Sequence, residues 1–389
     1  MSTLLDGSIS AGNAPAGKPA RKTRAETEAQ IFVASQWQLM WWRFRRHKVA
    51  IVSAVVVTMI YMVALFAEFL APFNPEVPQA RYLYAPPQTL YLFDSAAGRF
   101  DPHVYGFTSV VDSASNRRVF TVDYNQKIPV RLFVEGEPRK LAGLIPITKR
   151  LVGPSDPEQP VFLLGADRLG RDLLSRLIYG TRISMSIGLI GVIISLTLGI
   201  LLGGISGYFG GVADNIIQRV IEFLRSIPSI PLWMGLAAAL PLDWTPVQVY
   251  FAITVILSLI GWTGLARVVR GRFLAMREEE FVMAAELDGA SEMRIILRYM
   301  LPSFLSHIIA STTLSIPAMI LSETSLSFLG LGLRPPVISW GVLLKDAQSV
   351  RAVLTAPWLL WPAAAVIISV LALNFLGDGL RDASDPYSK

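Results

Sequence analysis

The chain has 389 residues, 52% of them hydrophobic and only 16% charged, with a mean hydropathy of +0.48; an ordinary soluble domain carries about 25% charged residues. Cysteine is absent, which excludes a disulfide framework, a thiolate metal site and a cysteine nucleophile, and the three histidines (His47, His103, His307) are too scattered for a zinc cluster. The net charge of +6 comes from basic residues that flank apolar blocks, the pattern of a membrane surface and not of a nucleic-acid partner.

In chain order, residues 1–48 are expected to form a cytosolic tail, of which 1–35, rich in Ala, Gly, Ser, Lys and Arg and without an apolar period, is expected to be disordered. Residues 49–71 hold the first transmembrane helix; its apolar core is too long for a cleavable signal and reads as a retained anchor. A bilayer core is crossed by about 20 apolar residues in a helix. Four further stretches meet that requirement without an Asp, Glu, Lys or Arg: 183–206, 247–266, 304–322 and 356–377. A less regular one, 216–242, begins with Arg219, Glu222 and Arg225 and is interrupted by Pro228 and Pro231. The expectation is six crossings, five of them in a core over 183–377, then a cytosolic tail at 378–389.

Positive residues set the orientation. Lys18, Arg21, Lys22, Arg24, Arg43, Arg45, Arg46 and Lys48 precede the first crossing and place the N-terminus in the cytosol. Six crossings return the C-terminus there and put the link 267–298 on the same side. Arg168, Arg171, Arg176 and Arg182 then fall outside, in a loop (72–182) long enough to escape the rule. Within that loop, alternation over 119–124 and 130–134, separated by 125–129, predicts a hairpin in a small sheet. Near its end, Leu169, Leu173, Leu177 and Ile178 recur at helical spacing, with Asp172 one turn from Arg168 and Arg176. The spacing predicts a helix on the membrane surface.

Within the core, Gly199, Gly203 and Gly207 share a face that would admit a close neighbour. Arg219, Glu222 and Arg225 are costly in lipid unless they meet water, headgroups or a partner, so they are candidates for the cytosolic interface or the pathway. Lone His307 reads as a packing residue, and Glu323, a further candidate for the pathway or an interface, would cap or pair externally at the outer end of its span. The link 270–302 is the most informative segment. A helical pattern runs to Asp288, and Gly289 takes the position where positive φ ends a helix cheaply. Ser291 can cap a second helix bearing Arg294 and Arg298. Two short helices about a glycine turn form a knob suited to a groove in a partner; the alternative is a plain amphipathic link on the membrane surface.

The order Ala284-Ala285, Gly289, Leu301-Pro302 resembles the EAA loop of permease subunits of bacterial binding-protein-dependent ABC importers. Two positions depart from that pattern: Met283 replaces its leading Glu and Tyr299 its frequent Ile. Three further segments, 164–184, Ser322 to Gly332 with Ser339-Trp340-Gly341, and 375–382, are similar to the C-type subunit of the dipeptide/oligopeptide/nickel branch. The resemblance implies an all-α polytopic protein with a type I importer core of five helices and a small β-containing periplasmic insertion, in the bacterial inner membrane. It implies that Ala284, Ala285, Glu286, Leu287, Asp288, Gly289, Ala290, Ser291 and Arg294 dock an ATPase. The implied partners are a second permease, two cytosolic ATPase subunits, a periplasmic binding protein and the bilayer.

No Gly-x-x-x-x-Gly-Lys-Ser/Thr phosphate loop occurs, so ATP and Mg would be used by separate subunits and this chain would bind no cofactor or metal and catalyse nothing. The implied solute is an oligopeptide, with oligosaccharides, an opine or a nickel complex as alternatives. An ATP-independent secondary transporter is more remote, because no paired intramembrane carboxylates or inverted repeat are present. A membrane-anchored enzyme lacks any catalytic set.

Overall fold

The computed structural model describes residues 35–94, 98–113, 117–157 and 159–384. All but Ser35 of the expected disordered tail over 1–35, with Lys18, Arg21, Lys22 and Arg24, the last residues 385–389 and the side chain of His307 lie outside the described set.

A short helix α1 (Gln36–Phe44) opens with a capping box, in which Ser35 and Gln38 satisfy each other's backbone amides. It leads into α2 (Lys48–Leu65) and a single helical turn at Ala67–Leu70. Four antiparallel strands follow in the order β1 (Tyr91–Asp94), β2 (Arg99–Asp112), β3 (Arg117–Leu141) and β4 (Ile145–Pro154). The expected hairpin within 119–134 is not there. Both halves belong to the 25-residue β3, which pairs first with β2 and then, from Val130 onward, with β4. The Asn125–Pro129 turn signal becomes a bulge, where register jumps between Tyr105 and Gly106 of β2. Val104, Ile128 and Val130 pack with Val161 under one face of the sheet.

The helical body consists of α3 (Leu173–Phe209), α4 (Gly211–Ser226), α5 (Ser229–Ala238), α6 (Pro246–Met276), α7 (Glu280–Leu287), α8 (Leu305–Phe328), α9 (Trp340–Lys345), α10 (Val350–Thr355) and α11 (Trp361–Ser384). Among the described residues, α2, α3, α6 and α11 with its leading turn are long and apolar enough to cross a membrane, and the bent pair Glu292–Ser303 and Ile308–Phe328 makes a fifth. The expected crossing at 216–242 is not one helix. It breaks after Ser226, because Pro228 removes a backbone donor and disfavours helical geometry in Ile227 before it.

The glycine face of α3 is used as its spacing predicts. A Cβ at Gly203 would stand 2.5 Å from the Ala266 carbonyl oxygen, and one at Gly207 would stand 2.7 Å from that of Arg270. The backbones of α3 and α6 therefore lie side by side and parallel. Helix α8 runs the other way, with Ile320 against Gly188 and Phe304 against Phe273. Trp358 donates to the carbonyl of Ala166, in the turn that precedes α3, at 2.9 Å. At the other end of α11, Ala383 packs with Phe44 and Ala50. The start of α2, the end of α11 and the link after α6 thus share one end of the bundle, and the sheet, α9 and the start of α3 share the other.

Candidate functional site

The link after α6 forms a compact elbow. Helix α7 ends at Leu287, and Gly289 adopts φ +75°. The Ala290 amide donates to the Ala285 carbonyl at 3.0 Å and the Gly289 amide to Glu286 at 2.9 Å, the paired bonds that close a helix through a left-handed residue. Nothing lies within 4 Å of a Cβ at Gly289, so its backbone angle and not crowding is what calls for glycine. The second arm differs from expectation. Ser291 has the extended backbone of an N-cap, but its side chain makes no capping bond. Three helical residues, Glu292–Arg294, pass directly into a π turn, Ile295–Met300.

One face of the elbow is core: Val282, Ala285, Ile295 and Met300 are buried against Val269 and Phe273 of α6 and Phe304 at the entry to α8. The other face is bare. Leu287 at the tip is 89% exposed, with Phe281, Met283 and Met293 also outward; Ala284, Glu286, Asp288, Gly289, Ser291 and Arg294 are exposed and Ala290 half-buried. The Tyr208 hydroxyl donates to Glu286 at 3.0 Å and ties the tip to the end of α3. Among the described residues the elbow is a knob on a packed base, with Leu287, Phe281, Met283 and Met293 exposed beside polar residues on its outer side.

At the opposite end, Glu323 departs from the expected external cap or pair. It is 0% exposed and takes part in no ion pair among the described residues. Ser339 and Ser327 donate to its Oε1 at 2.7 and 2.8 Å, and Ser184 of α3 stands 3.5 Å from Oε2. Ser184 in turn accepts from the Trp340 amide at 3.0 Å, and Ser339 caps α9 through the Val342 amide at 3.2 Å. A buried carboxyl group hydrogen-bonded by hydroxyls ties α8, α9 and α3 together, and removing it would strip the acceptor from Ser327 and Ser339.

The surface helix expected around 168–180 is replaced by a turn followed by α3 itself. Asp172 is the N-cap of α3, accepting from the Ser175 amide at 2.8 Å and its hydroxyl at 2.6 Å. The residue that meets the arginines is Asp167, 2.7 Å from Arg171 and 3.3 Å from Arg176; Arg168 reaches Asp346 at 3.0 Å. Burial pushes the Asp346 carboxyl above its ordinary value, with Asp167 adding to the rise.

Arg219, Glu222 and Arg225 lie on the exposed side of α4, with Arg219 and Glu222 paired at 2.7 Å. The opposite side of α4 buries Ile221 against Trp262 and Ala266, with Leu198 and Leu202 beside them. Leu198 is roughly three turns from the end of α3, so the charges sit well inside the length of the bundle. Sequence reasoning missed the lock at the base of this helix, where Asp214 pairs with Arg270 and accepts from Ser206. The signal was present in Gly210-Gly211, a chain reversal with both residues at positive φ that folds α4 back onto α3.

These features define a polytopic membrane permease: apolar crossings, charged residues on an uncovered internal face, and an exposed elbow between crossings. Residues 199–388 match the family described as binding-protein-dependent transport system inner membrane component, and residues 35–87 match the N-terminal TM domain of oligopeptide transport permease C. The oligopeptide transport system permease protein OppC of Haemophilus influenzae is 42% identical over 226 residues, 58% of this chain and 70% of that protein. The dipeptide transport system permease protein DppC of Bacillus subtilis is 39% identical over 224 residues, 57% of this chain and 68% of that one. A solved structure of the MetNI methionine ABC transporter, inward facing, overlaps at 18% identity and a TM-score of 0.42, covering 53% of this chain and 95% of that chain. The chain belongs to the C-type permeases of the oligopeptide and dipeptide branch of binding-protein-dependent ABC importers, and is a membrane-spanning permease subunit.

Proposed function

We propose that this chain forms half of an ATP-driven import pathway for an oligopeptide, and that its elbow is the surface on which a cytosolic ATPase acts. The observation that carries this reading is the uncovered knob from Ala284 to Ser291, with Leu287 89% exposed at the tip of a packed, rigid base. Exposed apolar surface on a rigid support marks a site where another protein sits. The relatives are named for oligopeptide and dipeptide transport, which supports a peptide cargo.

In this arrangement the chain crosses the inner membrane six times, with α4 and α5 together making the third crossing in two pieces. The elbow and both termini face the cytosol, and the sheet faces the periplasm. The charges of Arg219, Glu222 and Arg225 would be costly against lipid, and a second permease or a water-filled pathway beside α4 relieves that cost. Two ATPase subunits supply ATP and Mg chemistry from outside this chain, and a binding protein delivers the cargo to the outer end. The N-terminal tail, the loop 72–182, the core 183–377 and the tail from 378 are the units of this organisation.

Reconstitution tests the reading. Liposomes holding the chain with its second permease, both ATPases and the binding protein should take up a labelled tripeptide only when ATP is supplied. Uptake by the chain alone, without ATP or any ATPase, would refute it.

A further inference from the structure

Helix α2 has two unlike faces. Its small residues Ala50 and Ser53, with Val57 and Ala64, are buried; Ala50 lies so close to α11 that a Cβ on Gly379 would be 2.2 Å from the Ala50 side chain. Its bulky residues Val52, Val55, Met59 and Met62 point away from the bundle and are 48% to 63% exposed. A continuous groove runs along this outer side. Trp41, Phe44 and Arg45 form its head, Ile51, Val55 and Met59 line its length, and Phe69, Leu141 and Ile147 close its far end. The lining is almost wholly apolar: the Thr58 hydroxyl is already spent on the Ala54 carbonyl at 2.7 Å.

The residue types decide between two classes of occupant. Helices associate in membranes through small residues that let backbones approach, or through polar side chains that bond across. Helix α2 uses Ala50 on α11, and Ala54, which lines the groove, is itself packed partly against the same cluster; the Thr58 hydroxyl in the groove is taken by its own helix, and the rest of the outward face is bulky. Bulky, branched and thioether side chains instead suit a flexible hydrocarbon chain. The head of the groove is cationic. Arg45, Arg46 and Lys48 are exposed and join none of the ion pairs among the described residues. Trp37, Trp41 and Trp42 of α1 are exposed beside them, and Trp41 stacks on Phe44 at 6.1 Å. Tryptophan beside basic residues at the end of a crossing belongs at headgroup height.

We propose that this groove is a binding site for an anionic phospholipid, with the phosphate held at Arg45 and Arg46 and one acyl chain laid along Ile51, Val55 and Met59. Helix α2 has 18 residues, so it is about 27 Å long, close to the roughly 30 Å thickness of the hydrocarbon core. One leaflet's chain therefore reaches from Arg45 to about Met59, and the far end of the groove at Phe69, Leu141 and Ile147 lies beyond the site. The inference does not depend on how the elbow is used.

Lipid retention by the intact importer complex tests it. The detergent-purified complex is incubated with phosphatidylglycerol or phosphatidylcholine, and retained lipid is read by native mass spectrometry. Phosphatidylglycerol should be retained in preference, and Arg45→Gln should weaken that retention about fivefold, the electrostatic share of one surface cation, while leaving phosphatidylcholine unchanged. Met59→Trp, which fills the groove, should lower retention of both, whereas Leu371→Trp on the exposed side of α11 should change neither. Equal retention of the two lipids, or full retention by Met59→Trp, overturns the proposal. So does a photo-crosslinker at position 59 that captures another protein chain of the complex and no phosphatidylglycerol.

Discussion

Leu287 offers a way to separate docking from folding. Its side chain is 89% exposed, so almost none of its transfer free energy is used in this chain, and truncating it to alanine should leave the fold intact. If a partner covers the tip fully, Leu287→Ala removes about 2 kcal/mol of buried apolar contact, roughly thirtyfold in affinity. Val282, five residues earlier, is the internal control. It is 0% exposed in the core that joins the elbow to α6, and Val282→Ala should cost about 2 kcal/mol of folding stability. The assay pairs two readouts on tagged permease: the amount of ATPase recovered with it across a concentration series, and its Tm. Leu287→Ala should lower ATPase recovery without moving Tm, and Val282→Ala should lower Tm first. Recovery within twofold of wild type for Leu287→Ala, with normal ATP-dependent uptake, would refute docking through the tip.

Three further outcomes follow from the same geometry. Gly289→Val introduces a branched side chain at φ +75°, a strain of about 1–2 kcal/mol, and should reduce ATPase recovery while membrane insertion stays normal; wild-type recovery would count against the elbow's shape being needed. Glu323→Ala strips the acceptor from the Ser327 and Ser339 hydroxyls and leaves each unpaired at about 1–3 kcal/mol, so it should lower Tm by clearly more than Glu323→Gln, which keeps a carbonyl acceptor; equal shifts would contradict a hydrogen-bonding role. In the sheet, hydrogen bonds from Lys127 and then Arg131 pull the Asp101 carboxyl down to about 2. A depressed carboxylate stabilises the fold above its unfolded value near 4 and loses that contribution as pH falls toward 2. Stability measured between pH 5 and 2 should therefore decline less steeply in Asp101→Asn than in wild type, and parallel curves would dismiss the ion pair as a source of acid sensitivity.

The features legible in the sequence were those in which one residue type answers one local demand. Gly289 was readable because a left-handed turn after a helix favours glycine, and Gly199, Gly203 and Gly207 because four-residue spacing puts them on one face. Apolar length located the continuous crossings for the same reason. What stayed hidden depended on partners far along the chain. Asn125 to Pro129 carries ordinary turn chemistry, yet the strand runs through it because β2 and β4 each claim half of β3. Ser184 lies 139 residues before Glu323, so no window of sequence could show that hydroxyls would satisfy that carboxylate in place of a cation. Asp172 and Asp167 were exchanged because helical spacing was extended one turn too far: Gly170 at φ +75° breaks the periodicity, and the helix starts only after Asp172.

The two constellations lie at opposite ends of the bundle, and α3 joins them. Its 37 residues span about 55 Å, well beyond the roughly 30 Å of hydrocarbon. Near one end Ser184 touches the Glu323 cluster, and at the other Tyr208 bonds Glu286 of the elbow. Between them, the approach of Gly203 to Ala266 leaves no room for α3 and α6 to slide or rotate independently, because close-packed interfaces resist continuous deformation. A force on the elbow would therefore move α3 and α6 as one body, and yielding would concentrate where the helices are already broken, at Phe304 before α8 and at Pro228 between α4 and α5. The exposed face of α4 with Arg219, Glu222 and Arg225 adjoins the second of those breaks. Displacement at the elbow would thus be felt first where the chain carries its uncovered charge.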